Sequence, residues 1–168
     1  MAVQDKFVDS NLAAGKKGNP ALVSGGKELS IAFNFEVAAA DSDASVYRLA
    51  RLPANAIPLR CDIFADASID GTDFDLGLYK PGVGGAIVDG NLLADGLNLA
   101  AGVAVTAGSN NGLTNLGGAD PIAAVGKKLW ELLGLSAPDR QDYDLAITAN
   151  TVGGAAGTIS GIFTFILG

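Results

Sequence analysis

Between Leu29 and Val37 large apolar side chains fall on every second residue: Leu29, Ile31, Phe33, Phe35 and Val37 alternate with Ser30, Ala32, Asn34 and Glu36. Period-two alternation places the large side chains on one face of a strand. It is the pattern of a sheet with one buried side. The alternation returns along the chain. Val46 to Leu52 predicts a second strand, stopped at Pro53-Ala54-Asn55 because proline cannot donate to a ladder. Residues Ile57 to Phe64 predict a third, with Ile57, Leu59, Cys61 and Ile63 on one face. Asp70-Gly71 is a turn signal, after which Phe74, Leu76 and Leu78 alternate with Asp73, Asp75 and Gly77. Near the end, Tyr143, Leu145 and Ile147 alternate with Asp142, Asp144 and Ala146. From Thr158 to Leu167, Ile159, Phe163, Phe165 and Leu167 share one face and Ile162 and Ile166 the other, which predicts a strand buried on both sides. These last two strands are expected to pair antiparallel.

One segment has helical spacing. Ile122, Val125, Leu129, Leu132 and Leu133 make an apolar stripe, with Asp120 as N-cap, Pro121 at the first position and Gly134 as the stop. Trp130 lies beside the stripe and is expected to pack on the sheet, with an exposed interface anchor as the alternative. Residues Lys80 to Gly118 are punctuated by Gly and Asn and predict loops, one or two short strands and a helical turn near Asn91. The expected architecture is all-β: a jelly-roll-like β-sandwich over residues 28–168 with one short helix. Residues 1–27 lack periodicity and read either as a frayed terminus or as an extended N-terminal arm that orders against a partner.

At 168 residues the chain is one domain and can bury a core without disulfides. With 23 glycines and 7% aromatic residues, it suits strands joined by tight turns. The net charge of −7 opposes nucleic acid, whose affinity comes largely from Lys and Arg on phosphates. Lys16-Lys17 and Lys127-Lys128 are isolated pairs, so no nucleic-acid partner is expected. No apolar stretch marks a secretory leader or a membrane span, which predicts synthesis in a cytoplasm and no membrane partner.

Histidine is absent, which removes Ser-His-Asp and Cys-His catalysis. Cys61 is the single cysteine, so neither an intrachain disulfide nor a Cys/His zinc site can form; it reads as a small core residue. The pairs Asp73/Asp75 and Asp142/Asp144 each share a strand face at a spacing that glycosidase carboxylates could use. The polar face of an amphipathic strand explains them equally. Asp66, Ser68, Asp70 and Gly71 match the first half of a helix-loop-helix calcium loop, but the closing Glu would fall at Gly77 and the flanks are strands. A weak calcium site on Asp70, Asp73 and Asp75 stands beside the simpler reading of a β-turn with solvated carboxylates. Gly82-Val83-Gly84-Gly85 lacks the spacing of a phosphate loop and reads as a plain loop. No catalytic, cofactor-binding or metal residues are assigned, and no enzyme activity is expected.

The blocks Val46-Tyr47-Arg48-Leu49-Ala50-Arg51-Leu52-Pro53-Ala54-Asn55-Ala56, Asp75-Leu76-Gly77-Leu78-Tyr79, Val88-Asp89, Leu92 to Leu97, Gly126-Lys127-Lys128-Leu129-Trp130-Glu131 to Leu135, Tyr143 to Thr148 and Gly157-Thr158-Ile159 follow in an order that resembles a family of small tailed-phage virion proteins. Its members are described as head decoration, cement or minor structural proteins. The resemblance covers Val46 to Leu167 except the Gly-rich stretch Ala101 to Gly118. It implies a jelly-roll-like sandwich on the capsid surface of a virion, with the major capsid protein as partner, and a homo-oligomer, a trimer in preference to a dimer. It implies no catalytic residues. Arg48, Arg51 and Arg60 would then pair with acidic shell residues or, equally, form ion pairs within the domain. The rival classes are a tail, fibre or receptor-binding structural module, a tail-tube or adaptor subunit, and a hydrolase using the Asp pairs.

Overall fold

The computed structural model describes residues 3–7, 28–100, 102, 104–105, 113–114 and 124–168. Nine strands and one short helix lie among them: β1 (Asp5–Phe7), β2 (Glu28–Val37), β3 (Ser45–Pro53), β4 (Ala56–Ala65), β5 (Asp73–Tyr79), β6 (Ile87–Leu97), β7 (Ala104–Val105), α1 (Leu129–Leu132), β8 (Asp142–Thr151) and β9 (Gly157–Leu167). They form two sheets, β1-β3-β8-β5-β6 and β2-β9-β4-β7. Every pairing is antiparallel except β1 on β3. From β2 to β5 each connection carries the chain to the opposite sheet, β5 and β6 make a hairpin, and β6 to β9 cross again. This is the expected all-β sandwich of jelly-roll kind.

The alternation read from the sequence decides what lies between the sheets. Phe33, Phe35 and Val37 of β2 face Tyr47 and Leu52 of β3, Leu76 and Leu78 of β5, and Leu145 and Ile147 of β8, with Phe163 and Phe165 of β9, in one apolar cluster. Phe35 and Tyr47 stack across the two sheets at 4.6 Å between ring centroids. The Tyr47 hydroxyl donates to the buried Asp41 carboxylate at 2.8 Å. Burial and the neighbouring Asp41 charge push the Tyr47 pKa well above that of a free phenol.

Five expectations need correction. In β4, Ile57 is half-buried and Leu59 exposed, because a bulge between Pro58 and Arg60 shifts the phase. Ala56 and Pro58 point inward before it, Cys61 and Ile63 after it. The region around Asn91 is not a helical turn but the middle of the long strand β6, whose alternation is erased by three register shifts against β5. Strands β8 and β9 do not pair with each other: β8 lies between β3 and β5, and β9 between β2 and β4 in the other sheet. β9 is not buried on both sides, since Ile162 is exposed and Ile166 only half-buried; β8, the central strand of its sheet, is the one enclosed on both faces. Finally, the helix is four residues long. Gly126 takes a left-handed conformation (φ 81°) that ends helical continuity, and Val125 stands exposed. The proposed cap Asp120, with Pro121 and Ile122, lies outside the described residues. The Glu131 carboxylate accepts the Lys128 N–H at 2.8 Å, Gly134 (φ 71°) closes the helix, and Leu129 and Trp130 pack against the core as expected.

Phe163, wholly enclosed between the sheets, sets the scale of the core. Phe163→Ala is expected to cost about 3–5 kcal/mol in chemical denaturation. Glu36→Gln, on the exposed face of β2, is expected to stay within about 0.5 kcal/mol of the parent.

Candidate functional site

The largest fully buried side chain is charged. Arg48 projects from β3 onto the outer face of the first sheet, away from the apolar core, and has no exposure to solvent. A guanidinium carries five N–H donors and keeps its proton in proteins. All five are used. Nε and Nη2 fork onto Asp5 at 2.7 and 3.0 Å; Nη1 donates to the Lys80 carbonyl at 3.1 Å and to Asp144 at 3.3 Å; Nη2 also donates to the Gly85 carbonyl at 3.0 Å. Its Cζ stands 5.1 Å from the centre of the Tyr79 ring, a cation–π contact.

Asp144 completes the network from β8. It accepts Arg51 Nε at 2.8 Å, Arg48 Nη1 and the Gly82 N–H at 2.8 Å. The charges cancel pairwise, Arg48 and Arg51 against Asp5 and Asp144. The Gly82–Gly85 loop is the lid. It holds no phosphate pattern, yet it does bind anions: Gly82 N–H meets Asp144, and Gly84 N–H meets Asp5 at 2.8 Å. Positive φ at Gly82 and Gly84 turns those amides inward, and a Cβ on Gly85 would strike the Lys80 carbonyl. Around this cluster Val46, Tyr79 and Ala146 form a second, small apolar group, and the Tyr79 and Thr148 hydroxyls share a hydrogen bond. Burial works against the Asp5 carboxylate, but the Arg48 hydrogen bonds, the Gly84 N–H and the Arg48 charge outweigh it. Asp5 is held below its ordinary 3.8.

Arg48 and Arg51 are therefore committed inside the domain. Arg51 is partly exposed, and Arg60 is the most exposed of the three, near Asp62 of its own strand at 3.5 Å. The Asp pairs fare differently. Asp142 and Asp144 are separated in role, since Asp144 is buried in the Arg48 network and Asp142 sits half-buried at the start of β8. Asp73 and Asp75 are brought together, with the Asn150 amide donating to both at 3.4 and 2.7 Å and the Gly96 N–H reaching Asp75 at 3.0 Å. The calcium-like stretch is a set of turn caps. Asp66 accepts the Ser68 N–H and hydroxyl at 2.9 and 3.1 Å, and Asp70 accepts the Gly154 and Ala155 N–H groups, each at 3.0 Å. Those backbone hydrogen bonds lower both pKa values. Among the described residues no group of three or more His, Cys, Asp or Glu is placed to hold a metal ion. Cys61 is buried, which pushes its thiol up to about 12. Sequence reasoning missed Asp5, Tyr79 and the role of the glycine loop. The available signal was Arg48 itself, a charge in the apolar run Val46 to Leu52.

Exposed apolar side chains stand at the first sheet, Val83 of the loop and Ile87 of β6, and on the outer face of the second. Phe64 and Ile162 stand exposed on adjacent strands there, one residue pair apart in the ladder, with Arg60 and Asp62 beside them.

A chain in the capsid of Ralstonia phage GP4 has this fold: the match covers 100% of this chain and 99% of that one, with a TM-score of 0.59 at 17% identity. A chain in the capsid asymmetric unit of cyanophage Pam1 aligns over 90% and 92%, with a TM-score of 0.46 at 12% identity. One in the acid-stable capsid of Helicobacter pylori bacteriophage KHP30 aligns over 86% and 95%, with a TM-score of 0.36 at 10% identity. The latter two are too distant to bear on the fold. No family model matches the sequence, and no curated protein matches it.

Two measurements test the Arg48 network. Arg48→Met leaves Asp5 without its counter-ion and the buried Asp144 with Arg51 alone, and is expected to cost about 3–5 kcal/mol in denaturant unfolding. A carboxylate with a lowered folded pKa binds fewer protons folded than unfolded. Its contribution is complete above the ordinary value and is lost as pH falls through the lowered one. The stability gap between the parent and Asp5→Asn is therefore expected at pH 7 and should close as pH drops below 3.8.

Proposed function

We propose that this protein is a non-enzymatic virion component that binds the assembled shell of a tailed phage and stabilises it. The observation that carries the reading is the likeness in fold, along the full length of both chains, to a chain in the capsid of a phage. The interior chemistry agrees with it: the buried charges of the Arg48 network are spent on one another, leaving binding surfaces as the working parts. A module of this kind stabilises a shell by binding the assembled form in preference to free subunits, which shifts disassembly by mass action. The major capsid protein is the partner in this reading. The contact uses exposed apolar side chains on the outer face of the second sheet, Phe64 and Ile162, with Arg60 at the rim. The arm of residues 1–27 adds to it by ordering against the shell, while Asp5 ties its beginning to β3.

Particles carrying the protein are expected to melt at a higher temperature than particles lacking it, and Phe64→Ser with Ile162→Ser to lower occupancy on the shell. Unchanged melting, with density for the protein on the tail, would replace this reading by a tail or fibre module. Residues 8–27 are expected to be cleaved by protease in the free protein and protected on particles; equal resistance in both states would remove the arm from the contact.

A further inference from the structure

The two sheets end in four edges among the described strands, and three are poor templates for another chain. β1 has three described residues and β7 two. β6 is long, but its pairing with β5 slips at three places, and bulges twist an edge away from a partner. β2 is different. It runs ten residues, and its register with β9 is unbroken from Glu28↔Ile166 to Val37↔Gly157. It carries no proline, no lysine, no bulge and no inward-pointing charge, the devices that keep natural edges from pairing. Its core-facing side chains are incompletely covered at one end: Phe33, Phe35 and Val37 are buried, while Leu29 and Ile31 remain half-exposed.

We propose that the outer edge of β2 pairs antiparallel with β2 of a second copy, joining the two four-stranded sheets across a two-fold axis. The charge pattern selects the register. Facing residues must point to the same side of the sheet, so the axis passes through a residue rather than between two. An axis at Ala32 sets Glu28 opposite Glu36 twice, and like charges directly opposite destabilise a sheet. An axis at Asn34 leaves Leu29 beyond the end of the partner strand. An axis at Phe33 avoids both: Leu29 meets Val37, Ile31 meets Phe35, Phe33 meets itself, and Glu36 meets Ser30. Every core-facing residue of β2 then gains an apolar cross-strand neighbour, and the two half-exposed ones are covered. The pairing is isologous and closes at a dimer, where the family resemblance favoured a trimer. It does not depend on shell binding and is tested on the free protein.

The full-length protein is examined by sedimentation equilibrium, and the double variant Ala32→Cys with Asn34→Cys by mild oxidation and non-reducing electrophoresis. Both positions are exposed and face each other across the proposed axis, and buried Cys61 does not compete. The expected result is twice the monomer mass, with a covalent dimer from the double variant and none from either single variant. A monomer at all concentrations, a trimer, a dimer in which the double variant fails to link, or linkage by Asn34→Cys alone would overturn the proposal. A β2 edge protected only on particles would assign the edge to a shell strand instead.

Discussion

A guanidinium closed off from water must find acceptors for every N–H, and the outer face of the first sheet is organised around that requirement at Arg48. Burying the charge costs several kcal/mol unless it is both paired and hydrogen-bonded, so its partners are drawn from three stretches far apart in the chain. Asp5 comes from the beginning, the Lys80 and Gly85 carbonyls from the loop after β5, and Asp144 from β8. The consequences spread outward. β8 is enclosed on both faces, the loop needs its glycines, and β1 is fastened to β3 by an ion pair as well as by its short parallel ladder.

The two sheets are finished differently. On the first, part of the outer face is closed by the Arg48 network; β1 has three described residues and β6 carries bulges. On the second, the outer face keeps Phe64 and Ile162 in solvent and one edge is long and regular. Exposed apolar side chains remain on the first sheet's side as well, at Val83 of the loop and Ile87 of β6. Many of the carboxylates are occupied by backbone N–H groups at turns, as Asp66 and Asp70 are, or by side-chain amides, as Asp73 and Asp75 are.

How much of this was legible in the sequence depends on whether the signal was local. Period-two alternation in β2, β5 and the start of β8 is a property of the chain within a few residues, and it named the core-facing side chains correctly: Phe33, Phe35, Leu76, Leu78, Leu145 and Ile147. The absence of histidine and of a cysteine pair likewise bounded the chemistry without any fold. Where a bulge or a glycine intervened, the same reasoning slipped by one residue or lost the element, as at Leu59 and throughout β6. A bulge is set by the partner strand, and no partner is visible in a single chain segment.

Tertiary structure alone decided which sheet each strand joined and what the polar residues were for. β8 and β9 are neighbours in sequence with a turn-rich link, the ordinary signature of a hairpin, yet they lie in opposite sheets, β8 between β3 and β5 and β9 between β2 and β4. Asp144 looked like one member of a solvated carboxylate pair and is a buried counter-ion; Asp5 fell in a stretch that read as a frayed terminus or a partner-binding arm and is the second, partly exposed counter-ion. An amino-acid sequence determines by itself which side chains must leave water, because hydrophobicity belongs to the residue. Which charge meets which is decided only in the fold, because an ion pair belongs to two residues that the chain must first bring together.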